Sequence, residues 1–337
     1  MIRVAVDAMG GDHAPQAEIA GALEALAAFP DKFVIQLVGR SDLIAAELAK
    51  HPEAARSGLE IHEAAEVIGM GEKPLAAVRK KRKSSIVVGL TMQAEGHSDA
   101  FVSAGNTGAI LAASTMLLGL HDGVERATVA TLFPTASQPV LVLDGGANVD
   151  CSARELVGFA YLGSVYMRDV QRRPSPTVGL LNVGEEDEKG NAVTREAHSL
   201  LKKSARLHYL GNIEGRDIVA GHHKYGEVDV VVCDGFVGNV VLKFYESVGR
   251  LIVGLIKQRV PDLLARPELK DLFRVLDYST YGGAPLLGVK GVSIICHGAS
   301  PSNAIKNAIR VATQSVEADL SKHIGAEFAQ REAAGSA

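Results

Sequence analysis

Val4-Ala5-Val6-Asp7-Ala8-Met9-Gly10-Gly11-Asp12-His13-Ala14-Pro15 is the stretch on which the fold turns. Ile2 to Val6, apolar except for Arg3, reads as a buried strand, and Asp7 stands where it ends. Gly10 and Gly11 admit backbone angles, or a close approach by a ligand, that a side chain would obstruct. Pro15 suits the first turn of a helix, and Ile19, Leu23 and Leu26 give that helix an apolar stripe. Strand, glycine turn and helix start together make a corner with backbone N–H groups and a positive dipole end, receptive to an anion. The same pattern also serves as a plain strand-to-helix turn, and the adjoining Asp12-His13 favours a site.

The event repeats along the chain. Asp99 to Ser103 reads as a strand followed by Gly105-Asn106-Thr107-Gly108 and a helical run to Leu120. Thr128 to Phe133 and Val140 to Leu143 read as an antiparallel pair; the second ends in Asp144-Gly145-Gly146-Ala147-Asn148 before a helix from about Ser152 to Arg168. Thr177 to Asn182 runs into an acidic loop whose one cation is Lys189. Val228 to Cys233 runs into Asp234-Gly235-Phe236-Val237-Gly238-Asn239, and Val292 to Cys296 into His297-Gly298. Further strands are expected at Phe33–Val38, Leu59–His62, Leu207–Leu210 and Ile218–Ala220, with helices at Asp42–Lys50, Glu72–Lys83, Ile86–Glu95 and Asn303–Ser321. Short apolar strands alternating with helices predict an α/β fold with a mainly parallel sheet, whose loops gather at the carboxyl edge where such folds bind ligands. Asp12, His13, Asn106, Thr107, Asn148, Lys189, Asn239 and His297 would converge there, together with Asp7, Gly10, Gly11, Gly108 and Gly238 of the same loops. For any one of them a cap or turn role competes.

Length and composition narrow the class. With 337 residues, 47% hydrophobic and 22% charged, the chain has the make-up of a globular protein with a sizeable core. A formal net charge of −4 gives no global pull toward nucleic acid, and no such partner is expected. Cys151, Cys233 and Cys296 are too scattered for a disulfide framework or a zinc site, which points to a reducing cytosol. No signal peptide and no spanning stretch is visible. His222-His223 offers two rings that point differently in most conformations, so no metal is expected. Cys151, near a helix N-terminus, is either a nucleophile or an inert thiol, and the absence of a neighbouring His favours the latter.

Two surface features carry alternatives. Arg79-Lys80-Lys81-Arg82-Lys83 is either a solvated face or a landing patch for an acidic partner. Val240 to about Arg259 reads as a helix whose far end, Leu251-Ile252-Val253-Gly254-Leu255-Ile256, is nearly all apolar. Val260-Pro261-Asp262-Leu263-Leu264 then turns the chain back into a second helix, Glu268 to Leu276. Such a hairpin is either buried in a dimer interface or dips into a membrane surface, where Lys257, Arg259 and Arg266 would meet anionic headgroups.

Missing motifs exclude some chemistry. No G-x-G-x-x-G supports a dinucleotide site and no G-x-x-x-x-G-K-[ST] supports a P-loop. Gly298-Ala299-Ser300-Pro301-Ser302 lacks the last glycine of a nucleophile elbow, which leaves Ser300 as a turn or cap residue. What remains is a site for phosphate or a phosphorylated ligand.

At Val4–Pro15, Ser103–Ala109, Gly146–Cys151, Asp234–Asn239 and Asp277–Ala284 the chain closely resembles the PlsX family, the bacterial acyl-(acyl carrier protein):phosphate acyltransferases, over residues 1 to about 320. Gly145 is a departure, where relatives tend to carry a larger apolar residue. The resemblance implies a three-layer α/β/α, Rossmann-like fold: one catalytic domain over residues 1–325, with a projecting hairpin at 240–276 and a frayed tail at 326–337. It also implies a homodimer bound peripherally to the inner face of the membrane. Leu251, Ile252, Leu255, Ile256, Leu263 and Leu264 would make that contact. The implied reaction takes acyl-ACP and inorganic phosphate to acyl-phosphate and free ACP, without a cofactor, and feeds a membrane glycerol-3-phosphate acyltransferase. ACP is acidic, so Arg79, Lys80, Lys81, Arg82 and Lys83 become a docking patch. Lys189, Asn239 and His13 become the catalytic candidates, the other loop residues binding substrate. A phosphate acetyltransferase acting on acyl-CoA and a non-catalytic membrane scaffold for lipid synthesis are the alternatives.

Overall fold

The computed structural model describes residues 1–52, 57–135, 137–260, 262, 266 and 282–335. Its contacts divide the chain into two compact units, a finer division than the single domain expected above. The first comprises Met1–Ala127, Asp169–Arg172 and the C-terminal segment; the second comprises Thr128–Arg168 and the chain from Arg173 through the long helix.

In the first unit the chain runs through β1 (Ile2–Asp7), α1 (Gln16–Ala28), β2 (Phe33–Gly39), α2 (Ser41–Leu48) and β3 (Leu59–Glu63). It continues through α3 (Pro74–Lys80), α4 (Ser85–Ala94), β4 (Ala100–Ser103) and α5 (Thr107–Leu117). In the second unit follow β5 (Thr128–Phe133), β6 (Val140–Leu143), α6 (Ala153–Asp169), β7 (Thr177–Leu181), α7 (Ala192–Lys202) and β8 (His208–Ile213). Next come α8 (Gly215–Ala220), the two-residue strands β9 (His222–His223) and β10 (Gly226–Glu227), β11 (Val230–Val232) and α9 (Gly235–Arg259). The first unit closes with β12 (Ala284–Leu287), β13 (Ser293–Ile295), α10 (Ser302–Glu317) and α11 (Leu320–Gly335).

The strand order in the first unit is β3-β2-β1-β4-β13-β12, parallel except for β12 against β13. Alternation along a strand sends successive side chains to opposite faces. Val4, Val6, Ala100 and Val102 accordingly face a core shared with α1 and α10. Phe101 faces the other way, where Gly89 of α4 lies so close that a Cβ would come within 2.5 Å of its ring. Helices therefore cover both faces. The second unit repeats the plan with strand order β5-β6-β11-β7-β8, parallel except for β5 against β6. Val140, Val142 and Val231 pack with Ile218 of α8 and with Val241, Leu242 and Tyr245 of α9. On the opposite face Val230 lies against Gly163 of α6. These strands are buried on both sides, which is why they read as unbroken apolar runs.

Several sequence-based expectations need correction. Ile218–Ala220 is not a strand but the end of helix α8. Glu214 and Asp217 form a capping box at its start, and Gly221 closes it in the left-handed conformation (φ 66°). The basic helix expected over 72–83 covers only Pro74–Lys80, and Ser84 caps a new helix by accepting from Val87 N. The long helix begins at Gly235 rather than Val240, because Asp234 accepts from Val237 N. The expected fraying from 326 does not hold either: α11 continues to Gly335 with Phe328 fully buried. The second helix of the hairpin, Glu268 to Leu276, falls outside the described residues, as do Leu263 and Leu264.

Candidate active site

Three loops meet at the carboxyl ends of β1, β4 and β13 in the first unit. Asp12 N donates to Gly298 O at 2.7 Å, and a Cβ on Gly10 would come within 2.8 Å of Gly105 N. The carboxyl in this corner belongs to the protein. Asp7 is fully buried and accepts from Met9 N at 3.0 Å and from the Ser103 hydroxyl at 2.6 Å; Ser103 in turn accepts from Gly105 N at 3.0 Å. Gly10 is glycine because a Cβ would overlap the Asp7 carboxylate. Burial raises the Asp7 pKa, opposed by hydrogen bonds from Ser103, Ser85, Met9 and Gly10. Beneath Gly11 (φ 119°) lies a second buried carboxyl, Glu18, whose pKa burial pushes up to about 8, with a further push from Asp7.

Asn106 also faces inward. Its Oδ1 caps α5 by accepting from Ala109 N, and its Nδ2 donates to the carbonyls of Gly69, Met70 and Glu72 at 3.0–3.3 Å. Asp7, Gly10 and Asn106 thus build the turn. Asp12, His13, Thr107 and His297 are exposed on it, with Gly11 and Gly108 half-buried. His297 Nδ1 accepts from Ala299 N at 3.1 Å, which puts the ring proton on Nε2.

The second unit has its own corner, at the ends of β6, β7 and β11. Asp144 is fully buried, and its carboxylate accepts from the backbone N–H of Gly146 (2.9 Å), Ala147 (2.8 Å) and Asn148 (3.1 Å) and from Asn148 Nδ2. Burial raises the Asp144 pKa and these bonds lower it. Gly235 N donates to Asn148 O at 2.7 Å, and Gly238 packs so tightly that a Cβ would overlap the Asp144 carbonyl. A Cβ on Gly146 would lie 3.2 Å from Asn239 Cβ. Asn148 and Gly238 are therefore framework, while Asn239 and Lys189 present exposed side chains. The Lys189 ammonium lies 4.0 Å from Glu186, and its carbonyl accepts from Asn182 Nδ2 at 3.2 Å.

Beside this corner is a cavity of 700 Å³ into which Leu180, Leu181, Gly190, Val193, Asp234 and Val237 open. Cys151 also lines it, but burial and the nearby Asp144 push its pKa up to about 12, far from a nucleophilic thiolate. Cys233 and Cys296 are buried and raised likewise.

Of the basic run, Arg79, Lys80, Arg82 and Lys83 are exposed, whereas Lys81 is held by Glu72 at 2.5 Å and by Val67 O at 2.7 Å. On α9, Leu251, Ile252 and Leu255 are exposed and Ile256 is half-exposed. Among the described residues no helix is long and apolar enough to cross a membrane. Glu185, Asp217 and His223 bring ligand atoms within 4.8 Å of one another, but Lys224 (2.6 Å) and Arg216 (3.0 Å) already neutralise Glu185.

Sequence reading passed over Asp144, Glu18 and Ser103. Asp144 was visible as the second strand-end aspartate before a glycine pair; nothing local marked Glu18.

Solved structures with the same fold include the EutD phosphotransacetylase from Staphylococcus aureus (TM-score 0.61, 14% identity, 94% of each chain covered). A phosphotransacetylase from Streptococcus pyogenes matches equally well (TM-score 0.61, 17% identity, 94% of each chain). Among curated relatives, the phosphate acyltransferase of Heliobacterium modesticaldum is 48% identical over 335 residues, covering 96% of this chain and 98% of its own length. That of Desulforamulus reducens is 47% identical over 327 residues, covering 95% of each. The model of the fatty acid synthesis protein family matches residues 2–323, nearly the whole chain, and the chain therefore belongs to that family, the PlsX family that its loop motifs resemble.

Proposed function

We propose that the chain is a phosphate acyltransferase that converts acyl-ACP and inorganic phosphate to acyl-phosphate and free ACP. The observation that carries this reading is the near-full-length identity to relatives named phosphate acyltransferase. A phosphate oxygen attacks the thioester carbonyl, the carbon–sulfur bond breaks, and sulfur leaves with the electron pair and takes up a proton. Phosphate is already a nucleophile and needs mainly positioning, so no covalent enzyme intermediate is required. The high pKa of Cys151 agrees with that. Thr107 and Gly108 at the opening of α5, with His13 and His297, are assigned to phosphate. Lys189 and Asn239 are assigned to the carbonyl oxygen and the departing sulfur.

Around the reaction, Arg79, Lys80, Arg82 and Lys83 receive the acidic carrier protein; their exposure supports this, and Lys81, bound to Glu72, takes a structural part. The exposed apolar end of α9 supports a peripheral contact with the inner face of the cell membrane, in a cytoplasmic homodimer that passes acyl-phosphate to a membrane glycerol-3-phosphate acyltransferase.

The test mixes purified protein, palmitoyl-ACP and phosphate and traps acyl-phosphate with hydroxylamine. Phosphate-dependent hydroxamate, matched by free ACP thiol, is expected. Product from acetyl-CoA but not from acyl-ACP would replace this reading with the acetyltransferase. Liposome binding without product from either would leave a scaffold.

A further inference from the structure

The substrate of such a reaction carries a hydrocarbon tail that must leave water, and the second unit holds a place for it. We propose that the cavity at the end of β7 binds the acyl chain; this rests on the acyltransferase reading above. Its volume, 700 Å³, lies within the roughly 300–1,000 Å³ usual for small-ligand pockets. The wall is built from Leu156 of α6, Leu180 and Leu181 of β7, Val193 of α7, Val237 of α9 and the thiol of Cys233. Leu156, Leu180 and Cys233 are buried, so the deep part is dry and apolar.

Charge excludes the other obvious occupants. Among the described residues no Lys, Arg or His lines the cavity, whereas Asp150 and Asp234 do, so a phosphate or a nucleotide would meet repulsion there. The polar groups at its mouth are committed to the fold. Asn191 Oδ1 accepts from Thr194 N at 2.9 Å, Asp234 Oδ1 from Val237 N at 2.8 Å, and Asn182 Oδ1 from Val183 N at 2.8 Å. A ligand therefore gains from this cavity mainly by bringing apolar surface out of water. The chain also ties the mouth to the chemistry: Lys189 directly precedes the lining residue Gly190. A tail in the cavity leaves its thioester end beside the loop that carries Lys189.

Val193 is half-buried on the wall and can be changed in both directions. Wild type, Val193→Phe and Val193→Ala are compared on four-, eight- and sixteen-carbon acyl-ACP, with thermal unfolding as the check on folding. Each buried methylene strengthens binding about fourfold, so filling the cavity should lower the ratio of kcat/KM for sixteen over four carbons at least about tenfold in Val193→Phe. Val193→Ala should move the optimum to longer chains. A second readout needs no turnover: displacement of the fluorescent fatty acid cis-parinaric acid, by palmitate but not butyrate, should weaken in Val193→Phe. If wild type uses acyl-ACP but both variants keep its chain-length profile and its parinarate affinity, the cavity is not the acyl site and the acyltransferase reading stands. If wild type uses no acyl-ACP of any length, that reading falls; the acyl cavity then stands only if parinarate binding is present and lost in Val193→Phe.

Discussion

Asp7 and Asp144 end two strands in two separate units, and each sits under a glycine turn, yet the two carboxyls live differently. Asp144 has three backbone N–H donors and the Asn148 amide around it, so the loop beyond β6 is a nest already filled by its own carboxyl. Asp7 takes two of its hydrogen bonds from the Ser103 and Ser85 side chains and two from the backbone at Met9 and Gly10, and it shares its surroundings with Glu18, a second buried carboxyl that keeps its proton up to about pH 8. One corner surrounds its carboxyl with backbone donors, and the other stores a proton on Glu18. The comparison teaches that a glycine turn which reads as receptive to an anion can be glycine-rich to fit a side-chain carboxylate from the strand before it.

The largest effect expected is steric. Gly238→Ala drives a methyl into the Asp144 carbonyl, a backbone atom that cannot swing aside, and should cost about 3–5 kcal/mol in denaturant unfolding. Gly10→Ala meets the Asp7 side chain and Gly105 N and should cost less, about 2–3 kcal/mol. The reverse order would mean that the first corner is the more rigid. Next comes catalysis. Lys189→Ala and Asn239→Ala should each lower kcat about 10²–10³-fold, or about 2.7–4 kcal/mol, while unfolding stays unchanged, since both side chains are exposed. Full turnover in both variants would remove the second corner from the chemistry.

Asp144→Asn deprives three backbone N–H groups of a carboxylate acceptor, against two in Asp7→Asn, and should cost about 1 kcal/mol more. Equal costs would erase the contrast between the two. The last effect is in pH. The Glu18 carboxyl has its ordinary value of 4.5 when unfolded and about 8 when folded. Its stabilising contribution is therefore complete below 4.5 and is lost as pH rises through about 8. Wild type should lose on the order of 3 kcal/mol between pH 5 and pH 8, seen as a falling unfolding midpoint, and Glu18→Gln should flatten that slope.

The recurring strand, glycine loop and helix were legible because doubly covered strands must be apolar throughout and helix starts must be capped. The antiparallel pairing of Thr128–Phe133 with Val140–Leu143 was legible for a simpler reason, the short proline-bounded link. Ile218–Ala220 misled because three apolar residues have no period; the decisive marks were Glu214 and Asp217 before them and Gly221 directly after. At the candidate site, sequence marked the loops but could not sort framework from surface. Asn106 and Asn239 follow glycines in equivalent loops, yet one spends its amide on three carbonyls and the other reaches solvent. That distinction depends on residues 69–72, which no pattern around Asn106 announces.

The strand order of the first unit bears on how the protein is made. β13 lies between β4 and β12, and α10 packs on α1 so closely that Gly21 leaves no room for a methyl beside Ile305. A ribosome delivers β1 to α5 first, but their sheet lacks its neighbour to β4 until residue 295 has emerged. The strands and helices of the second unit, through α9, are all synthesised before that point. The half of the protein made first is thus the half that must wait, holding the open edge of β4 and the bare face of α1 for some 180 further residues of synthesis, a span in which a chaperone has the most to protect.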